Sequence, residues 1–141
     1  MLLRAMETVQ NLIRVAPSTQ NLADLRKELY ELAQENDVPV PLTRRMVIAI
    51  DEAVSNVIEH GTPADADEVE VAIGFTPECI TATITDRGVA FDPSKARTAV
   101  ETHKFPKWGF GLYLIHLIVD SIEYERTSCG KNVLTLKKAV L

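Results

Sequence analysis

Residues 51–61 read DEAVSNVIEHG, which places carboxylates, an amide and an imidazole in a stretch with the periodicity of an amphipathic helix. At 100° per residue, the apolar face of this helix, expected to pack on a sheet, comprises Met46, Ile50, Val54 and Val57. Glu52, Asn56 and His60 are spaced four apart, so they form a line along the border of that face. The small residues Ala49 and Ala53 beside this line leave room for a ligand. The line offers a base or acceptor, a neutral oxygen ligand suited to Mg²⁺, and a switchable donor, although polar residues on a helix border are more often simply solvated.

The composition is that of a globular protein and predicts a single domain over residues 1–141. The chain is 46% hydrophobic and 25% charged, without a compositional break. A net charge of -5, with no basic cluster interleaved with aromatics, argues against a nucleic-acid partner. The longest apolar run is too short to cross a membrane, so we expect a cytoplasmic protein. Cys79 and Cys129 match no zinc or redox spacing and are expected to be reduced.

The periodicity predicts an order of strand, two helices, hairpin, long loop, helix and hairpin. The predicted elements are a strand ending at 12–15, helices over about 19–36 and 43–61, strands 69–75 and 80–86, a helix after 109, and strands 122–127 and 133–137. Ser18 or Thr19 is expected to cap the first helix and Thr43 the second. The apolar helix after Gly109 lacks a polar face, so it is expected to pack between other elements. Strands grouped as hairpins favour a mostly antiparallel sheet with helices on one face.

Two further motifs follow the helix of residues 51–61. The stretch DRGVAFDP places Asp86 and Gly88 at the end of a strand, and GFGLYLI opens a helix with Gly109 and Gly111. Each is weak alone, because an Asp before Gly is common in turns and a glycine pair can simply permit tight packing. In this order, the three motifs resemble the ATPase superfamily of gyrase, heat-shock chaperones, histidine kinases and mismatch-repair proteins (GHKL). The match is closest to the small bacterial anti-sigma-factor serine kinases, and it runs from about residue 10 to the C-terminus, including GKNVLTLKK.

The resemblance implies an α+β fold that binds ATP and Mg²⁺. The expected architecture is a two-layer α/β sandwich of the Bergerat type, with three main helices on one face of a mostly antiparallel mixed sheet. Asn56 is then the Mg²⁺ ligand, Glu52 the general base that accepts a proton from a protein hydroxyl, and Asp86 the acceptor for the exocyclic amine of adenine. His60 would contact phosphates or cap the helix C-terminus. The other nucleotide contacts that the resemblance implies are Gly88, Phe91, Gly109, Phe110, Gly111, Leu112 and Thr135. Lys104, in the polar segment before Gly109, is a further candidate for a phosphate contact, although a charge on a loop is commonly just solvated.

A lid is expected over about residues 90–108, because this long polar segment has no sustained periodicity. The chain departs from the family pattern twice, at Ala90 where many relatives have a glycine, and at Trp108 where they usually have a small residue. Ala90 is followed by Phe91-Asp92-Pro93, which matches the anti-sigma kinases. Trp108 could stack on or anchor a partner.

The function implied by the resemblance is a serine/threonine protein kinase that takes part in a partner switch. It would phosphorylate an anti-anti-sigma protein, the antagonist, and sequester a sigma factor, and relatives act as homodimers. Two alternatives remain, a nucleotide-binding regulatory module without turnover and a simple ATPase in which Glu52 activates water. The presence of both Glu52 and Asn56 favours the kinase over a pure binding module.

Overall fold

The fold is an open five-stranded sheet with helices on one face, in a computed structural model that describes residues 9–61, 68–89 and 109–140. Its helices and strands are β1 (Val9–Val15), α1 (Leu22–Glu35), α2 (Val40–Asn56), β2 (Val69–Phe75), β3 (Cys79–Asp86), α3 (Gly109–Ile118), β4 (Ser121–Arg126) and β5 (Asn132–Ala139). The strand order is β1-β2-β3-β5-β4, and each neighbouring pair is antiparallel. The predicted α+β class is therefore confirmed. None of the helices in these three ranges is long and apolar enough to span a bilayer.

Alternation along the strands separates a buried face from an open one. In β3, Ile80, Ala82 and Ile84 are buried, whereas the intervening threonines are only partly buried. The same period in β2 buries Val69 and Val71 completely. The helices cover this apolar face with a shared core that includes Leu25, Leu29, Ile50, Val54 and Ile115. Because successive strand residues point to opposite faces, the register assigns each polar residue at a strand end to one side of the sheet.

The second helix begins earlier than the sequence predicts. Thr43 was expected to cap it, but α2 begins at Val40, with Pro39 as the N-cap residue. Pro41 is tolerated in the first turn, where its missing N–H has no intrahelical partner to lose. The hydroxyl of Thr43 instead donates to the carbonyl oxygen of Pro39 at 3.1 Å. At the preceding element, Ser18 does act as a cap, but for a short 3₁₀ turn (Thr19–Asn21) that leads into α1.

The third helix is less buried than its apolar sequence suggests. Ile115 is 1% exposed, but Leu117 is 63% exposed. The expectation of a helix packed between other elements is wrong for the part of α3 around Leu117, because α2 is the principal packing partner of α3 among the described residues. The predicted lid, with Phe91 and Lys104, lies outside the described residues.

Asp120 fastens the connection between α3 and β4 to the end of β5. Its Oδ2 accepts a hydrogen bond from the backbone N–H of Ala139 at 2.6 Å, and Oδ1 lies 3.3 Å from the Nζ of Lys138. The hydrogen bond from Ala139 holds the pKa of the Asp120 carboxyl below its ordinary value, and the Lys138 ammonium adds to the effect.

We expect Asp120→Ala to lower the free energy of unfolding by about 1 kcal/mol at neutral pH. This is less than the usual contribution of a hydrogen bond to a charged acceptor, because the Asp120 side chain is half exposed. A carboxyl whose native pKa is lowered stabilises the fold above its unfolded pKa and loses this effect as pH falls through the native pKa. The difference between wild type and variant should therefore shrink below about pH 4. Denaturant unfolding at several pH values measures this, with Asp120→Asn as the control that keeps an oxygen acceptor. A loss independent of pH would show that the carboxylate charge is not involved.

Candidate functional site

The end of α2 and the start of α3 bring together three residues that are distant in the sequence. Glu52 and Asn56 are one turn apart at the end of α2, and Gly111 lies in the first turn of α3. A Cβ placed on Gly111 would lie 2.5 Å from Glu52 Oε2 and 3.7 Å from Asn56 Nδ2. No side chain fits there without displacing the carboxylate, so the structure explains why this position is a glycine.

Asn56 is buried with an unsatisfied polar group. Its residue is 8% exposed, and Nδ2 has no hydrogen-bond partner among the described residues. An orphaned buried amide costs roughly 1–3 kcal/mol, so such a group usually has a ligand or another role to explain it. Rotation of the amide exchanges Nδ2 with Oδ1, so the same position offers either a donor to a phosphate or an oxygen to a cation. This donor set fits Mg²⁺, which takes few protein oxygens when a phosphate supplies the others.

The surroundings of Glu52 favour the protonated form of its carboxyl. Partial burial raises its pKa above the ordinary value, and the negative charges of Asp51 and Glu59 raise it further. Asp51 differs from its neighbour, because it accepts a hydrogen bond from Arg26 of α1 at 3.0 Å. A carboxylate with a raised pKa is a better general base than an ordinary one.

A π-helical turn follows α2 directly. The sequence predicts a regular helix to Gly61, but α2 ends at Asn56 and residues Val57–Gly61 form a π turn. Such turns occur often at functional sites, where the wider turn changes the direction of side chains. His60 lies in this turn by its backbone, and its side chain lies outside the described residues, so its role stays a prediction.

The first turn of α3 contributes backbone groups. Gly109, Phe110 and Leu112 belong to this turn, and the structure describes their backbone alone. The first N–H groups of a helix have no intrahelical acceptor and carry partial positive charge, so they favour an anion. Glu52 and Asn56 therefore lie beside a helix end suited to phosphate.

Asp86 occupies a second polar position, at the end of β3. It is 7% exposed, and its Oδ1 accepts hydrogen bonds from Gly88 N at 2.7 Å and from Asn132 Nδ2 at 3.0 Å. Both bonds between described residues end on Oδ1, which leaves Oδ2 for another donor. An acceptor-only carboxylate at this place suits an amino group such as that of adenine.

The register of β5 brings Asn132, and not Thr135, to Asp86, so the role of Thr135 stays a prediction. Thr135 pairs with Thr83 across the sheet, on the face away from the helices, so the structure does not bring it to Asp86. Asn132, which is not among the residues singled out from the sequence, pairs with Asp86 in the register and is 5% exposed. Period-two alternation contained the signal, because Asn132 shares its face with the core residues Leu134 and Leu136.

A cavity of about 430 Å³ opens at the same end of the sheet. It is lined by Arg14, Glu68, Glu70, Thr85, Asp86, Arg87 and Lys131. Neither Glu52 nor Asn56 lines it, and Arg14 and Glu70 pair across the open face. The cavity therefore adjoins the Asp86 end but does not include the Glu52 and Asn56 site.

Comparison with known proteins identifies the family of this chain. Residues 15–138 match the family described as "Histidine kinase-like ATPase domain". The chain belongs to this family. A serine-protein kinase RsbW of Bacillus cereus (strain AH187) is 26% identical over 132 residues, covering 89% of this chain and 82% of the relative. Another, from Bacillus cereus (strain Q1), is 32% identical over 99 residues, covering 65% of this chain and 61% of the relative.

Solved structures share the fold of this histidine kinase-like ATPase domain. The RsbU and RsbW domains of Rv1364c from Mycobacterium tuberculosis match with a TM-score of 0.68 at 21% identity, over 93% of this chain and 32% of that one. The SiaB-SiaC complex from Pseudomonas aeruginosa matches with a TM-score of 0.59 at 11% identity, over 96% of this chain and 92% of that one. These likenesses show the predicted fold: an open sheet with helices on one face.

We expect Glu52→Gln to raise the free energy of unfolding at pH 7 in the absence of ligand. The native pKa of Glu52 lies above its unfolded pKa, which is about 4.3. The carboxyl therefore contributes fully to the free energy of unfolding at a pH below the unfolded pKa, and this contribution is lost as pH rises through the native pKa. The variant, which cannot ionise, should escape this loss and match wild type below about pH 4. Denaturant unfolding from acid to neutral pH measures the effect.

The matched control is Asp51→Asn, on the adjacent residue. Asp51→Asn breaks the pair with Arg26 and also removes one of the charges that raise the pKa of Glu52, so it should raise the free energy of unfolding less than Glu52→Gln does. Equal behaviour of the two variants would contradict a special environment at Glu52.

Proposed function

We propose that this protein is an ATP- and Mg²⁺-dependent serine/threonine protein kinase that phosphorylates an antagonist protein and sequesters a sigma factor. The observation that carries the proposal is the buried Nδ2 of Asn56, which has no partner among the residues that the structure describes and lies beside Glu52 and Gly111. A binding module needs an acceptor for the base and donors for phosphates. It does not need a carboxylate of raised pKa at the place where the phosphates would lie.

The chemistry assigned to Glu52 is general base catalysis. The hydroxyl oxygen of a Ser or Thr attacks the γ-phosphorus of ATP, the bond from that phosphorus to the bridging oxygen of ADP breaks, and Glu52 accepts the hydroxyl proton. Asn56 would hold the Mg²⁺, which neutralises phosphate charge when bound. The N–H groups at the start of α3 favour the phosphates, and Asp86 Oδ2 accepts the amine of adenine.

The names of the relatives support the proposed partners. Two relatives carry the name serine-protein kinase RsbW, and one structural neighbour is a complex of SiaB with SiaC. A phosphate on the antagonist would add about two negative charges and disfavour its docking, which frees this protein to bind a sigma factor. We include a homodimer in the proposal, as in the family.

ATP binding tests the nucleotide site. Calorimetry with and without Mg²⁺ should give Mg²⁺-dependent binding by wild type, and losses of about 10- to 100-fold in affinity for Asn56→Ala and Asp86→Ala. Ser55→Ala is the matched control and should bind as wild type does, because the hydroxyl of this partly buried residue donates to Glu59 and not to Asn56. No binding by wild type would exclude the kinase.

Phosphotransfer tests the reaction. With γ-labelled ATP and candidate antagonist proteins, Glu52→Gln should retain ATP binding and lose about 10²- to 10⁴-fold in rate, because a general base contributes that much. Label on a protein hydroxyl that depends on Glu52 separates a kinase from a simple ATPase, which would release phosphate without a protein acceptor. Binding without turnover in wild type would support the regulatory module instead.

Gly111→Ala tests the contact between α3 and the base. The new methyl group must push the flexible carboxylate of Glu52 aside, and a displacement near 1 Å can slow a positioned reaction by about 10²-fold. We expect the phosphotransfer rate to fall more than the affinity for ATP.

The control for this variant is the same substitution in a Glu52→Ala background. There the collision is absent, and Ala should raise thermal stability, because it favours a helix over Gly by up to about 1 kcal/mol. A similar gain in the wild-type background would show that Gly111 and Glu52 do not collide.

A further inference from the structure

The hairpin of β4 and β5 carries a polar cluster that packs against the Asp86 turn. We call Tyr124, Arg126 and Asn132 the hairpin cluster. Asn132 Nδ2 lies 3.0 Å from Asp86 Oδ1, and also 3.3 Å and 3.0 Å from the carbonyl oxygens of Gly88 and Val89. The Asn132 amide therefore holds both the Asp86 carboxylate and the backbone of Gly88 and Val89, in the turn after Asp86.

The oxygen of the Asn132 amide also accepts hydrogen bonds from the other two residues of the hairpin cluster. The hydroxyl of Tyr124 donates to Asn132 Oδ1 at 2.5 Å, and Arg126 Nη1 donates to it at 3.0 Å. Arg126 Nη1 also donates to the carbonyl oxygen of Gly88 at 2.8 Å. The amide orientation follows, because Arg126 can only donate and the groups around Nδ2 only accept.

We propose that Asn132 is a positioning residue for base selection, which holds Asp86 Oδ1 so that Oδ2 accepts the 6-amino group of a purine and rejects a 6-oxo group. The proposal rests on the proposed function, because it assumes that Asp86 receives the base of ATP. A 6-oxo purine would place its oxygen against a carboxylate oxygen, and two acceptors repel each other. A carboxylate free to rotate could avoid this repulsion, whereas one fixed at Oδ1 cannot.

The burial of the pair makes this positioning effective. Asp86 is 7% exposed and Asn132 is 5% exposed, so water competes little for their hydrogen bonds. Asn132 holds the Gly88 and Val89 carbonyl oxygens as well, which keeps these acceptors turned toward β5. Asn has both a donor and an acceptor in one short side chain, which the arrangement requires, whereas Asp at this position would oppose a second carboxylate to Asp86.

The test measures dissociation constants of ATP and inosine triphosphate by calorimetry with Mg²⁺. These nucleotides differ only in the 6-amino and 6-oxo groups of the base and the hydrogen-bonding state of N1. For Asn132→Ala we expect the preference for ATP to fall about tenfold, the value of one hydrogen bond to a charged acceptor. Tyr124→Phe, which deletes one hydroxyl from the hairpin cluster, should reduce the preference by about two- to threefold.

Two further variants separate positioning from a general loss of structure. In an Asp86→Ala background, Asn132→Ala should change the preference less than about twofold, because its target is gone. Thr83→Ala, three residues before Asp86 and on the opposite face of β3, should keep the wild-type preference. An equal loss of affinity for both nucleotides in Asn132→Ala would mean that the residue only supports the fold, and this would overturn the proposal.

The test also distinguishes failure of this proposal from failure of the proposed function. Wild type that binds neither nucleotide overturns both. Wild type that prefers ATP, with the same preference in Asn132→Ala and in Tyr124→Phe, overturns the role of Asn132 and leaves the kinase intact. If Asn132→Ala does not fold, Tyr124→Phe decides between the outcomes. A two- to threefold loss of its preference for ATP supports the role of Asn132, and an unchanged preference overturns it.

Discussion

The packing of α2 on the sheet is the constraint on which the rest of the structure depends. Ala49, Ala53 and Val54 are at most 3% exposed, so the helix lies close to the strands along a face of small and branched side chains. A rise of about 1.5 Å per residue then places Glu52 and Asn56 roughly 6 Å apart along a rigid axis. Since α1 and α3 both pack on α2, the same helix also determines where the first turn of α3 lies. The geometry of the candidate site is therefore a result of core packing.

The site also contains the features that oppose stability. The buried Nδ2 of Asn56 has no hydrogen-bond partner in the part of the chain that the structure describes, and the Glu52 carboxyl, whose pKa is raised, lies close to two other carboxylates. Local exceptions of this kind are expected where function has been favoured over stability. The continuous apolar core beneath α2 offsets them, because its free energy scales with the area it buries. Their concentration within one turn of α2 supports a ligand site at that place.

The Asp86 end is built differently from the Glu52 end. At the Glu52 end, one helix supplies two side chains and another supplies backbone. At the Asp86 end, β3 supplies the carboxylate, and the hairpin of β4 and β5 supplies the groups that hold it. The match of residues 15–138 to the family shows the family, and the solved structure at 21% identity shows the fold. The register of β5 against β3 decides which side chains reach the Asp86 carboxylate.

The sequence by itself determined the features that depend on local periodicity. The 3.6-residue period placed Glu52 and Asn56 on one line, and the period of two identified the hairpins, because both follow from backbone geometry within a few residues. Tertiary structure decided the start of α2, the π turn after Asn56, the exposure of Leu117 on α3 and the approach of Gly111 to Glu52. It also decided that Asn132, and not Thr135, meets Asp86. Such contacts join residues far apart in the chain, and a shift of one position in strand register would exchange the two faces of the sheet.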